Sequence, residues 1–145
     1  MDRSFVRGCL LLLLTGLYPL AAAGADFQTP AISPQQLHDR QQGADRLLVV
    51  DVRNPAEFRV GHLPGAVNLP EPEIADHLEA LAGQRGVVLY CIAGTRTKLA
   101  EQTLLDHDIP NLFHLQGGLT GWLDRRYPIE KGAGRDLVHS VGNGR

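Results

Sequence analysis

Three stretches of the chain are continuously apolar or nearly so, short, and mostly β-branched or aromatic: Leu47-Leu48-Val49-Val50-Asp51-Val52, Gly86-Val87-Val88-Leu89-Tyr90 and Leu112-Phe113-His114-Leu115. A strand with one wet face alternates apolar and polar residues, whereas unbroken runs of this length need cover on both faces. A mainly parallel sheet with helices on either side provides that cover. Helix-start signals lie between the runs, as this architecture requires.

Ser33-Pro34-Gln35-Gln36 joins a capping serine, a proline suited to the first helical position and a glutamine able to close a capping box. Leu37 and Arg40 extend that helix and Gly43 stops it. Asn54-Pro55-Ala56-Glu57 repeats the pattern with Asn54 as the cap. Gly61-His62-Leu63-Pro64-Gly65 is turn chemistry, and Ala66-Val67-Asn68-Leu69-Pro70 predicts a further short strand. Ile74, Leu78 and Leu81 share one face of a helix predicted over residues 71–81, with Gly83 at its end. Leu99, Leu104 and Leu105 mark another over 95–107, and a helical turn follows Gly117-Gly118 and holds Trp122. Beyond Pro128 the sequence is polar and Gly-rich, which predicts a loose tail over residues 129–145.

The chain has 145 residues, enough for one compact domain. Its first 25 residues have the pattern of a secretory leader. Arg3 and Arg7 precede an apolar run over residues 8–20, and the small residues Ala21-Ala22-Ala23-Gly24-Ala25 follow. The run is short for a bilayer span of ~20 residues, and the small-residue site favours cleavage after Ala23 or Ala25. The expected product is an exported, periplasmic domain over residues 26–128 plus the tail, with no stable membrane association. Cys9 leaves with the leader, so Cys91 is the sole cysteine of that product and has no disulfide partner within it. Net charge is −2 with neutral histidines, and no basic stripe suited to nucleic acid is visible.

The segment Tyr90-Cys91-Ile92-Ala93-Gly94-Thr95-Arg96-Thr97 carries the chemistry. A cysteine at the carboxyl end of a core strand occupies the edge where open α/β sheets bind ligands. A tight loop entering a helix converges its amide donors on one point, and these donors together with the helix dipole favour a thiolate there. Gly94 permits the sharp turn, and Arg96 offers a fork of donors for an oxyanion. Cysteines that close apolar strands are often inert packing residues, but the spacing Cys-x-x-Gly-x-Arg argues for a nucleophile.

These residues resemble the active-site loop of the rhodanese family. So do Asp51-Val52-Arg53-Asn54-Pro55-Ala56-Glu57-Phe58, Gly61-His62-Leu63-Pro64-Gly65-Ala66-Val67-Asn68, and Gln116-Gly117-Gly118 with Trp122, in order from about residue 32 to 122. The resemblance implies a single rhodanese-like domain, in exported form, with a five-stranded mainly parallel sheet and helices on both faces. It also implies a thiosulfate sulfurtransferase without cofactor or metal. Cys91 would be catalytic, with Ile92, Ala93, Gly94, Thr95 and Arg96 binding substrate. The Cys91 thiolate would take the outer sulfur of thiosulfate or a similar small anion, and the persulfide would pass it to cyanide or a thiol acceptor in ping-pong fashion.

Related phosphatases place one more residue between cysteine and arginine. The four residues here favour the smaller pocket of a sulfur carrier over phosphatase or arsenate-reductase chemistry. Active family members often carry a charge just after the cysteine, whereas Ile92 and Ala93 are apolar. That departure keeps open a non-catalytic binding module or sulfur carrier. No Cys-x-x-Cys pair suggests a disulfide oxidoreductase. Asp51, Arg53 and Glu57 are expected to form a structural ion-pair network, and His62 to be a hydrogen-bonding turn residue. His38, His77, His107, His114 and His139 show no metal-ligand spacing.

Overall fold

The computed structural model describes residues 26–135 and Leu137. The proposed leader over residues 1–25 and His139 lie outside the described residues. Five parallel strands form one sheet: β1 Ala31–Ile32, β2 Leu48–Asp51, β3 Val67–Asn68, β4 Val87–Tyr90 and β5 Leu112–Leu115, in the order β1-β5-β4-β2-β3. The helices are α1 Pro34–Gln42, α2 Pro55–Val60, α3 Leu78–Ala82, α4 Thr95–Asp106 and α5 Gly118–Asp124.

Alternation along the central strands divides the core in two. Val50 and Leu89 face Ile74, Leu81, Ala100 and Leu104, beneath α3 and α4. Their neighbours Val49, Val88 and Tyr90 face Leu37, Phe58, Leu119 and Trp122, beneath α1, α2 and α5. Both faces are therefore dry, which is why the strand sequences are unbroken. Each such side chain contributes about 1.5–3 kcal/mol when fully buried.

The two capping boxes form as expected. Ser33 accepts from the Gln36 amide and Asn54 from the Glu57 amide, and Gln36 and Glu57 reach back to the cap amides. Residues 71–81 do not make one helix. A 3-10 helix, Glu71–His77, leaves helical angles at His77 (φ −125°, ψ 21°), and α3 begins at Leu78.

The segment past Pro128, expected to be loose, is tied back over its first residues. His62 and Glu130 exchange both backbone hydrogen bonds at 2.9 Å, and Arg135 bridges Val67 in parallel. Leu137 is buried in the α4-side core. The polar, glycine-rich composition hides this because the bridges to His62 and Val67 are made by backbone groups, which composition does not report. Among the described residues, no helix is long and apolar enough to cross a membrane.

Candidate active site

Strand β4 is the middle strand of the sheet and delivers Cys91 to its carboxyl edge. Gly94 then turns the chain with φ +117° as the N-cap of α4, a value that glycine adopts without strain. The Gly94 amide donates to Cys91 Sγ at 3.1 Å. The Ala93 and Thr97 amides and the Thr97 hydroxyl also act on the sulfur. Thr97 Oγ1 is buried and makes no full hydrogen bond among the described residues, so it acts on the sulfur as a nearby hydroxyl dipole.

Cys91 is only 2% exposed. Burial pushes its thiol up, but the Thr97 hydroxyl and the three amides outweigh that, so the pKa lies below that of an ordinary thiol. The thiolate is stabilised mainly by neutral donors in fixed positions.

A second layer holds the loop from behind. The Leu119 amide donates to Cys91 O at 2.8 Å, and the Thr120 amide and hydroxyl donate to Ile92 O at 3.3 and 3.2 Å. Close approach is possible because Gly118 has no side chain. A Cβ there would lie 2.5 Å from Ile92 O and 2.6 Å from Cys91 O, and φ is +57°. The Gly117-Gly118 pair thus belongs to the site by position, although it lies 26 residues beyond the cysteine in sequence.

Two arginine–carboxylate pairs stand beside the loop. Arg53 and Asp51 are buried, with Nη2 donating to Oδ2 at 2.6 Å and Nε to Oδ1 at 2.9 Å. Arg53 Nη2 also donates to Gly61 O at 2.7 Å. Arg96, at the start of α4, gives its fork to Glu57, with Nη1 to Oε2 at 2.6 Å and Nη2 to Oε1 at 2.9 Å. The Arg96 hydrogen bond holds the Glu57 carboxyl below its ordinary range.

Of the expected ion-pair network among Asp51, Arg53 and Glu57, the Asp51–Arg53 pair forms, whereas Glu57 pairs with Arg96 instead. Arg96 was expected to offer that fork to a substrate oxyanion. In this structure the fork is engaged by Glu57, which the Asn54 capping box fixes within reach. Ile92, Ala93 and Thr95 are exposed around the loop. His62 is buried, its Nδ1 2.8 Å from Phe58 O and its ring stacked on Phe58 at 3.7 Å, as suits a structural turn residue.

A buried, amide-cradled cysteine after the middle strand of a parallel α/β sheet defines a domain built to hold a reactive sulfur. The Rhodanese-like domain model matches residues 33–125, and the chain belongs to that family. It is 32% identical over 98 residues to a sulfurtransferase of Allochromatium vinosum, covering 68% of this chain and 92% of that protein. An HTH-type transcriptional regulator of Mycobacterium tuberculosis is 32% identical over 121 residues, covering 81% of this chain. The chain spans about half of that regulator, 53% of its length. The crystal structure of a thiosulfate sulfurtransferase from Pseudomonas aeruginosa superposes with a TM-score of 0.68 at 25% identity, covering 74% of this chain and 21% of that one.

Proposed function

We propose that this protein is a sulfurtransferase that carries sulfur as a persulfide on Cys91. The observation that carries the reading is the loop itself, whose Ala93, Gly94 and Thr97 donors lower the pKa of a buried thiol. In the first displacement the Cys91 thiolate attacks the outer sulfur of thiosulfate or a similar small anion. A new S–S bond forms, the old one breaks, and sulfite departs with the electron pair. In the second, cyanide or a thiol attacks the outer sulfur and Cys91 leaves as thiolate. Because the loop donors lower the Cys91 pKa, this reading calls for no separate general base.

Intact-mass measurement before and after thiosulfate, with cyanide added last, tests the cycle. The expected result is a gain of about one sulfur atom (~32 Da) on Cys91, removed by cyanide and absent in Cys91→Ser. No adduct with any sulfur donor would sink the enzymatic reading. A non-catalytic binding module then takes its place, favoured by the engagement of Arg96 with Glu57 and by the apolar Ile92-Ala93 pair. We further propose that the leader is removed on export by cleavage after Ala23 or Ala25 and that the domain works in the periplasm. Amino-terminal sequencing of protein recovered from the envelope fraction tests this, with Gly24 or Asp26 as the expected first residue.

A further inference from the structure

A cleft of about 380 Å³ opens beside the cysteine loop, lined by Phe27, Ala93, Gly94, Thr95, Lys98 and Leu99. It shares Ala93 and Gly94 with the sulfur's cradle, and its far wall comes from a segment distant in sequence. Glu101, buried on α4, accepts from the Gln28 amide at 2.5 Å and from the Thr29 amide. Thr29 Oγ1 lies 3.2 Å from His114 Nδ1. These contacts fix the segment so that Phe27 stands against Gly94, where an added Cβ would meet the ring at 2.9 Å.

The Phe27 ring stacks on His114 at 3.7 Å and has Lys98 Nζ 5.0 Å from its centroid. These contacts set it as one wall of the cleft. Among the described residues, Lys98 is the only charged residue lining the cleft, and no carboxylate lies within 4.0 Å of its ammonium. Leu99 adds exposed apolar surface at the rim. A site with an aromatic wall, an aliphatic rim and one cation suits an apolar body bearing a single negative charge.

Building on the proposed sulfur transfer, we infer that this cleft is the subsite for the body of the acceptor, and that the acceptor is an organic thiol carrying an anionic group. The acceptor sulfur, as R–S⁻, attacks the outer sulfur of Cys91–S–SH. The R–S to S bond forms, the S–S bond to Cys91 breaks, and its electron pair returns to Cys91 as thiolate. The proton stays on the transferred sulfur, giving R–S–SH. Phe27 and Lys98 are specificity-determining residues in this step.

The test loads the enzyme with thiosulfate, verifies the persulfide by intact mass, and then measures transfer to cyanide, 4-methylthiophenol and 4-mercaptobenzoate. Phe27→Ala is expected to lower kcat/KM for both arene thiols about tenfold, and Lys98→Gln to lower it about tenfold for 4-mercaptobenzoate alone. Cyanide transfer should stay within about twofold of wild type in both variants, since cyanide has no body to bind. Equal losses for all three acceptors, or no loss for either arene, overturn the inference and leave sulfur transfer standing. A chain that takes up no sulfur at the loading step takes both readings down. Lys98→Gln alters a half-exposed residue, so the test does not depend on how well Phe27→Ala folds.

Discussion

The two arginine–carboxylate pairs beside the cysteine loop share a chemistry and differ in nearly everything else. Asp51 and Arg53 lie two residues apart at the end of β2, with side chains 0% and 4% exposed. Glu57 and Arg96 lie 39 residues apart and are 33% and 35% exposed. The first pair cannot be hydrated if it separates, and it also holds Gly61 O. The second is wet on one side and joins α2 to the first turn of α4, beside the cysteine loop. Burial makes one pair part of the scaffold, and under the proposed function partial exposure would let the other be exchanged for an anion.

Removing one partner of the buried pair has the largest expected effect. Arg53→Met leaves Asp51 charged and unpaired, and urea unfolding should show a loss of roughly 3–5 kcal/mol. A loss under about 1 kcal/mol would mean that water reaches Asp51 and that the contrast in burial carries no energetic weight.

The sulfur itself responds on an intermediate scale. Thr97→Val removes the buried hydroxyl that faces Cys91 while keeping the shape of the side chain. The pH midpoint of iodoacetamide alkylation should rise by about one unit, near 1.4 kcal/mol. In the wild type that midpoint is expected below the ordinary thiol value of about 8.5, with reactivity growing as pH rises through the depressed pKa.

Glu57→Gln should have the smallest effect on stability, under about 1 kcal/mol, while releasing the Arg96 fork. Under the proposed function, KM for thiosulfate should fall about threefold with kcat little changed, since the gain is in binding an anion. A rise in KM would instead make the pair a positioning device for the loop. The pH dependence has a definite sign. Because the folded pKa of Glu57 is depressed, its contribution is complete above the unfolded value of about 4.3. It disappears as pH falls through the lower folded value. Acid titrations of wild type and Glu57→Gln should therefore diverge above that window and converge below it.

Much of this arrangement was legible in the residues. Strands β2, β4 and β5 announce themselves as unbroken apolar runs, because both faces of each central strand are dry. Ser33 and Asn54 declare helix starts through contacts only three residues long. Cys91 and Gly94 mark the loop because the turn and the nucleophile are local. Strand β1 was not legible in the residues, since Ala31–Ile32 is two residues long, follows Pro30, and exists only by pairing with β5. The partner of Arg96 was hidden for the same reason, as no local rule brings residue 57 to residue 96. Gly117-Gly118 stood out only as part of a motif before a helical turn, which does not say which carbonyls Gly118 admits. Thr97 needed the first turn of α4 to bring its hydroxyl round to the sulfur, and Phe27 needed Glu101.

The amides of Leu119 and Thr120 hold the Cys91 and Ile92 carbonyls of the loop. Both peptide groups are thereby clamped, so the local dipoles cannot swing when charge at the sulfur changes. Under the proposed function, thiolate, persulfide and the crowded state between them would all sit in one fixed field. In water, each change of charge would require the surrounding molecules to turn. Here that reorientation would be completed when the chain folds, and the small α5 helix would act as a brace that keeps the reorganisation energy of each sulfur exchange low.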